Sequence, residues 1–217
     1  MASQIIYGRR PVAEAERGRR AVHRVWTAPD TPSQELERLC GSPDHQGVVA
    51  EVDPYPYGDA RGMLRGEAPL LVALDQVQDP RNLGAVCRSA EAAGAAGLIV
   101  PERRAAAVTA VTCKASAGAV EHLQIAHVRN LADWLADAKA AGFWIWGADA
   151  EAKAAPWSVD LQGPTVLVLG GEGKGLRPRV AASCDGLIAL PSHGMVDSLN
   201  VSAAATALLF EAVRQRS

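Results

Sequence analysis

Polar residues at spacings suited to chemistry occur in three stretches, each placed after a run of apolar residues. In residues 74–94 an apolar run stops at Leu74, a polar turn follows, and Asn82 stands where a helix N-cap is expected. At about 100° per residue, Leu83, Val86, Ala90 and Ala93 share one face of that helix and Arg88 falls nearly opposite them. Taken alone, Asn82 is either a plain cap or part of a site at the strand ends, where open α/β sheets bind ligands. Arg88 is either a solvent-facing arginine or a group turned toward such a site.

In residues 166–180 a buried-type strand runs into Gly170, Gly171, Glu172, Gly173, Lys174 and Gly175. Glycines so placed let backbone approach a ligand closely, or simply make a tight turn. A phosphate loop is excluded because Gly175, not Ser or Thr, follows Lys174, and a dinucleotide fingerprint because Leu176 stands where a third glycine is needed. Glu172 would repel phosphates, which favours a ligand that is neutral or cationic at that point. In residues 188–217 a strand stops at Pro191, a small polar loop follows, and Ser198-Leu199-Asn200 opens a helix capped by Ser198 or Asp197. Asn200, on an otherwise apolar helix, needs partners if buried. His193 reads as a surface residue. No nucleophile–base pair accompanies these stretches: His23, His45, His122 and His127 are scattered, and Cys40, Cys87, Cys113 and Cys184 form no Cys-x-x-Cys pair, so buried thiols are expected and a metal centre is not.

The elements that would position these residues follow from alternating short β-rich runs and alanine-rich helical segments. Strands are expected at 70–74, 97–100, 123–128, 143–147, 165–170 and 187–190, and helices at 82–93, 105–118, 131–141 and 176–183. This is the pattern of a parallel sheet with helices on both faces, an α/β fold. A last helix over 198–214 is small or apolar nearly all round, so it should be buried on more than one side, in the core or against a second subunit. Upstream, helices at 11–17 and 33–40 and strands at 22–26 and 47–52 make a small unit, 1–53, whose thin core needs outside support; 54–68 reads as a linker and 69–217 as the main domain.

With 217 residues, 48% apolar and 21% charged, the chain has the composition of a globular domain. It has no uninterrupted apolar run long enough to span a membrane and no signal-peptide core, so a cytoplasmic protein without membrane contact is expected. The net charge of −2 excludes a uniformly basic nucleic-acid surface, but 9–24 holds six arginines against Glu14 and Glu16, a local balance of 6 − 2 = +4 that is either a solvated helix face or a phosphate contact.

Taken together, Asn82-Leu83-Gly84 with Arg88, then Gly170-Gly171-Glu172-Gly173-x-Gly175, then Leu190-Pro191 with Ser198-Leu199-Asn200-Val201-Ser202, resemble in order and spacing the three motifs of the SpoU/TrmH class of SPOUT RNA methyltransferases. Ile6-Tyr7-Gly8 and His45-Gln46-Gly47 are similar to segments of the branch that methylates a guanosine 2′-hydroxyl of 23S rRNA near the peptidyl-transferase centre.

The resemblance implies S-adenosylmethionine as methyl donor, a ribose 2′-hydroxyl of RNA as acceptor, a C-terminal trefoil knot and a homodimer with RNA across both subunits. It places Gly170, Gly171, Leu190 and Leu199 in the cofactor pocket and Asn82, Arg88, Glu172, Ser198 and Asn200 in the catalytic cluster. It makes the N-terminal unit a shortened L30e-like RNA-binding domain, reduced between Pro29 and His45, with Arg9, Arg10, Arg19 and Arg20 as RNA contacts. Other outcomes within this reading are methylation of another rRNA nucleotide, as in resistance enzymes, or of tRNA, or a non-catalytic assembly factor.

Overall fold

The computed structural model describes residues 3–66, 69–171, 173–195 and 198–217. Its centre is a six-stranded, wholly parallel sheet in the order β6-β5-β4-β8-β7-β9. The strands are β4 (Leu70–Asp75), β5 (Gly97–Pro101), β6 (Ile125–Val128), β7 (Trp144–Ala148), β8 (Thr165–Gly170) and β9 (Gly186–Ile188). Every residue of β4 is buried. Alternation divides it between two cores: Leu70, Val72 and Leu74 face one side, Leu71 and Ala73 the other, as strand pleating requires. The first core is closed by α3 (Pro80–Ala92), α4 (Ala110–Ala115) and α7 (Val201–Arg216), the second by α5 (Leu131–Ala140) and α6 (Pro178–Ala182).

Helix starts differ from the sequence reading where proline or a nearer cap decides them. Helix α3 begins at Pro80 and its cap is Asp79, which accepts from Arg81 N at 2.8 Å, so Asn82 lies inside the first turn. Helix α4 is much shorter than the expected 105–118. The chain before it is tied down at Val77, whose carbonyl accepts from Ala106 N at 2.8 Å, and the helix starts only at the Thr109 cap. Helix α6 waits for Pro178, and α7 starts at Val201 behind the cap Asn200, not Ser198; Asp197 lies outside the described residues. Gly84 shows why the first motif carries glycine: a Cβ there would lie 2.6 Å from Ala115 Cβ and 2.7 Å from Thr112 O, so α3 and α4 meet backbone to backbone.

The N-terminal unit is a three-stranded antiparallel sheet, order β1-β3-β2, formed by β1 (Gln4–Tyr7), β2 (Val22–Thr27) and β3 (Val48–Val52), with α1 (Arg9–Arg17) and α2 (Ser33–Cys40). Strand β1 is absent from the sequence reading because four residues are too few for a periodic signal. The unit's own core is only Tyr7, Leu36 and Val49 with their flanks, while Ile6, Val12, Ala50 and Val52 join the first core of the main domain. Residues 54–66 bridge the two: Tyr55 Oη donates to Leu123 O at 2.6 Å and Val108 N donates to Tyr57 Oη at 2.9 Å.

Arg20 fastens this joint and is corrected here as an RNA contact. It is 5% exposed. Its guanidinium donates to Glu121 at 2.9 Å and 2.5 Å, to Gln4 Oε1 at 2.6 Å and to Asp53 O at 3.2 Å. Glu121 raises the Arg20 pKa against the burial that lowers it. Arg19 stays on the surface, but its Nη2 is committed to Tyr55 Oη at 3.0 Å and Leu123 O at 2.5 Å. Glu121→Gln, which leaves the Arg20 charge buried without its counter-charge, should destabilise the chain by about 3–5 kcal/mol in urea unfolding, whereas replacing both partners by apolar residues of similar volume should recover most of that loss.

Candidate active site

Strand β8 ends where the backbone turns back against itself. A Cβ on Gly170 would lie 2.1 Å from the carbonyl carbon of Gly175 and 2.5 Å from Leu176 N, and one on Gly171 would lie 2.6 Å from Gln76 O. Gly173 and Gly175 take φ of 73° and 61°, left-handed conformations that favour glycine. Gly175 N donates to Gly171 O at 3.1 Å and closes the loop. The residues just beyond it are pinned by Asp75, a wholly buried carboxylate at the end of β4. Asp75 accepts from the backbone N of Arg177 at 2.8 Å and from its Nε and Nη2 at 2.7 Å. The sequence reading missed this pair, whose only local sign was an acidic residue at a strand's carboxyl end.

Above the loop lies a cavity of about 460 Å³ at the carboxyl ends of β7, β8 and β9. Gly170, Gly171, Leu190, Leu199 and Ser198 all line it, together with Leu169, Ile188 and Leu208. Asp149, also in its wall, was not singled out from sequence. The volume lies in the range of small-molecule sites, about 300–1,000 Å³. Apolar side chains suit a purine face, bare glycine backbone offers hydrogen-bonding groups at close range, and among the described residues of the glycine turn Lys174 is the one cation. These features fit S-adenosylmethionine, an unphosphorylated nucleoside.

Beside the cavity the first and third motifs meet. Asn82, buried in the first turn of α3, accepts at Oδ1 from Asn200 Nδ2 at 3.1 Å. Asn200 Oδ1 in turn accepts from Ser202 N at 2.8 Å and Ser202 Oγ at 2.6 Å, capping α7. Asn200 is exposed and caps α7, so the burial cost weighed for it from the sequence does not arise. One turn and more further along, Ser89 Oγ and Thr206 Oγ1 lie 2.6 Å apart and repeat the α3–α7 contact. Arg88 is exposed on α3 and is not part of the Asn82–Asn200 pair. Glu172 lies outside the described residues. Cys113 and Cys184 are poor nucleophiles, since burial pushes both up to about 12. Among the described residues no group of three or more His, Cys, Asp or Glu could hold a metal ion, and no helix is long and apolar enough to cross a membrane.

Residues 69–210 match the SpoU rRNA methylase family, and residues 30–58 match the substrate-binding family of RNA 2′-O ribose methyltransferases. The chain belongs to the SpoU rRNA methylase family. It is an S-adenosylmethionine-dependent RNA 2′-O-ribose methyltransferase. It is similar to Bacillus subtilis YacO, named as a TrmH-family tRNA/rRNA methyltransferase, at 36% identity over 98% of this chain and 96% of YacO. It is also similar to the 23S rRNA (guanosine-2′-O-)-methyltransferase RlmB of Xanthomonas campestris, at 44% identity over 85% of this chain and 76% of RlmB. Among solved structures, the SpoU methyltransferase AviRb of Streptomyces viridochromogenes, crystallised with AdoMet, superposes with a TM-score of 0.82 at 30% identity, covering 99% of this chain and 90% of AviRb. Gly170→Ala should abolish S-adenosylmethionine binding in calorimetric titration, because its methyl would overlap the Gly175 backbone, whereas a Gly163→Ala control, where a Cβ meets nothing within 4 Å, should keep it.

Proposed function

We propose that this enzyme methylates the 2′-hydroxyl of a guanosine in 23S rRNA, near the peptidyl-transferase centre. The observation that carries the reading is the direct Asn82–Asn200 bond beside the glycine-lined cavity, because it brings motifs 118 residues apart into one site. The similarity to RlmB supports guanosine and 23S rRNA as target. S-adenosylmethionine, when bound, supplies an electrophilic methyl group.

The chain's own residues then have three tasks. Gly170, Gly171, Leu190 and Leu199 hold the donor through backbone and apolar contact. Asn82 and Asn200 lock α3 to α7, and Ser198, in the cavity wall, is placed to orient the acceptor ribose. Arg88, on the exposed face of α3, meets the RNA. A guanidinium with a pKa above about 12 is a poor base, so Arg88 serves by orienting a phosphate and stabilising negative charge that develops on the ribose oxygen. Glu172 belongs to this cluster by its place in the second motif.

The active form is a homodimer with RNA across both subunits, in the cytoplasm. In support, α7 keeps a stripe of exposed residues, Ala203, Ala207 and Phe210, of which Phe210 is 47% exposed, so its apolar surface is not all covered within one chain. Leu199, at 57% exposure beside the cavity, supports the same arrangement. The trefoil knot also belongs to this proposal. Strand β8 inserts between β4 and β7, and the chain then returns past Gly170 to pair β9 outside β7, the kind of crossing a knot needs. So do the division at 53 and 68 and the role of 1–53 in holding RNA, with Arg9 and Arg10 at its surface.

Labelled methyl should pass to a single guanosine of unmodified 23S rRNA, mapped as resistance to alkaline cleavage, and not to tRNA assayed in parallel; label on tRNA would move the substrate. Arg88→Ala should lower the transfer rate by about 10²-fold or more with cofactor affinity unchanged in titration, and retained turnover would remove Arg88 from the site.

A further inference from the structure

The arginines of 9–24 separate into two groups with different physical fates. Arg20 is consumed by the joint between the N-terminal unit and the main domain, whereas Arg9 and Arg10, at the start of α1, line a second cavity of about 560 Å³. Its remaining walls are Pro11, Gln46, Lys114 and Ala117, and it shares no lining residue with the cofactor cavity. Three of these residues are cations and none is a carboxylate.

Two of the cations, Arg9 and Lys114, are held in place. Gln46 grips Arg9 twice: its Oε1 accepts from Arg9 N and its carbonyl from Arg9 Nε, both at 3.2 Å, leaving the guanidinium's outer nitrogens for another partner. Lys114 comes from α4, in the main domain. Its Nζ donates to Asp44 O at 2.8 Å and stands 5.7 Å from the centre of the Tyr7 ring. Partial burial holds the Lys114 pKa below the ordinary lysine range, despite the opposing charge of Asp44. Like charges gathered over one cleft repel one another, and an anion seated among them relieves that repulsion.

We propose that this cleft binds a phosphodiester of the substrate RNA, clamped between Arg9 and Arg10 of the N-terminal unit and Lys114 of the methyltransferase domain. Guanidinium forks match phosphate oxygens and the lysine adds a point charge. Because the clamp is built from both units, and the Arg20–Glu121 joint holds those units together, it fixes how far along the RNA the gripped phosphate lies from the methylated ribose. Lys114 is thus a positioning residue for substrate choice. This inference rests on the reading that the substrate is RNA.

The test measures equilibrium binding of the full-length protein to unmodified 23S rRNA across a salt series, with Arg10→Gln, Lys114→Gln and the rescue variant Lys114→Arg. Each Gln variant should weaken binding about threefold to tenfold at 0.1 M salt and lower the salt slope by about 0.7–0.9, and Lys114→Arg should restore both. Arg10 is exposed, so Arg10→Gln keeps the test valid if Lys114→Gln lowers the thermal midpoint. Unchanged affinity and slope in folded variants would overturn the clamp, as would a wild-type protein that binds no RNA. Calorimetric binding of inorganic phosphate that Lys114→Gln abolishes, with RNA binding unaltered, would overturn it in favour of a small-anion site. Methyl transfer by the wild type is read separately: RNA binding with the Lys114-dependent slope but no methyl on 23S rRNA keeps the clamp and removes the proposed target.

Discussion

At the end of β8 the backbone passes itself with no room for a side chain, and the rest of the methyltransferase domain is arranged around that contact. Gly170 sits against Gly175 and Leu176, and Gly171 against Gln76, each closer than any Cβ allows. The return of the chain past this point carries Arg177 to the buried Asp75 and sends the following segment outward to form β9 beyond β7. A cavity is left above the turn because the backbone occupies the space beneath it. The same two glycines that let the chain turn back against itself also leave bare backbone in the wall of the cavity.

The burial of charge is used twice, to opposite ends. At Arg20 and Glu121 two ions are withdrawn from water and every donor of the arginine finds a partner, Cys113 Sγ at 3.3 Å taking the fifth, the condition under which a buried pair is tolerated. Such a pair locks relative orientation, because any slip of one unit on the other would strand both charges. At Arg9, Arg10 and Lys114 the charges are kept at the surface of a cleft without a lining carboxylate. Two groups within one arginine cluster therefore stand in different surroundings, according to which side of α1 and its following turn they occupy.

The N-terminal unit illustrates a limit set by size. Its private core is too small to hold it, so its inner face completes the core of its neighbour, with Ile6, Val12 and Val52 packed among residues of the parallel sheet. Tyr55 and Tyr57 make the stretch between the units part of that packing, so what reads as a linker by its proline and glycine content is a fixed strap.

Much of this was legible along the chain. Period-two and period-3.6 apolar patterns are local, and they located all six strands of the parallel sheet and the helices of both faces to within a few residues, except α4, where a long-range backbone bond to Val77 held the chain extended. The three motifs likewise stood out as glycines and polar residues set against strand ends. What could not be read was anything whose partner is distant in sequence. Asn82 and Asn200 were separate suspicions until α3 and α7 packed together, Asp75 was unremarked until Arg177 reached it, and Arg20 looked like its neighbours until Glu121, 101 residues away, was brought against it. Residue type and spacing determined which elements form and which side chains are costly to leave unpartnered. Only the tertiary fold decided the partners, because burial and pairing are properties of the assembled surfaces and not of the segment that carries the residue.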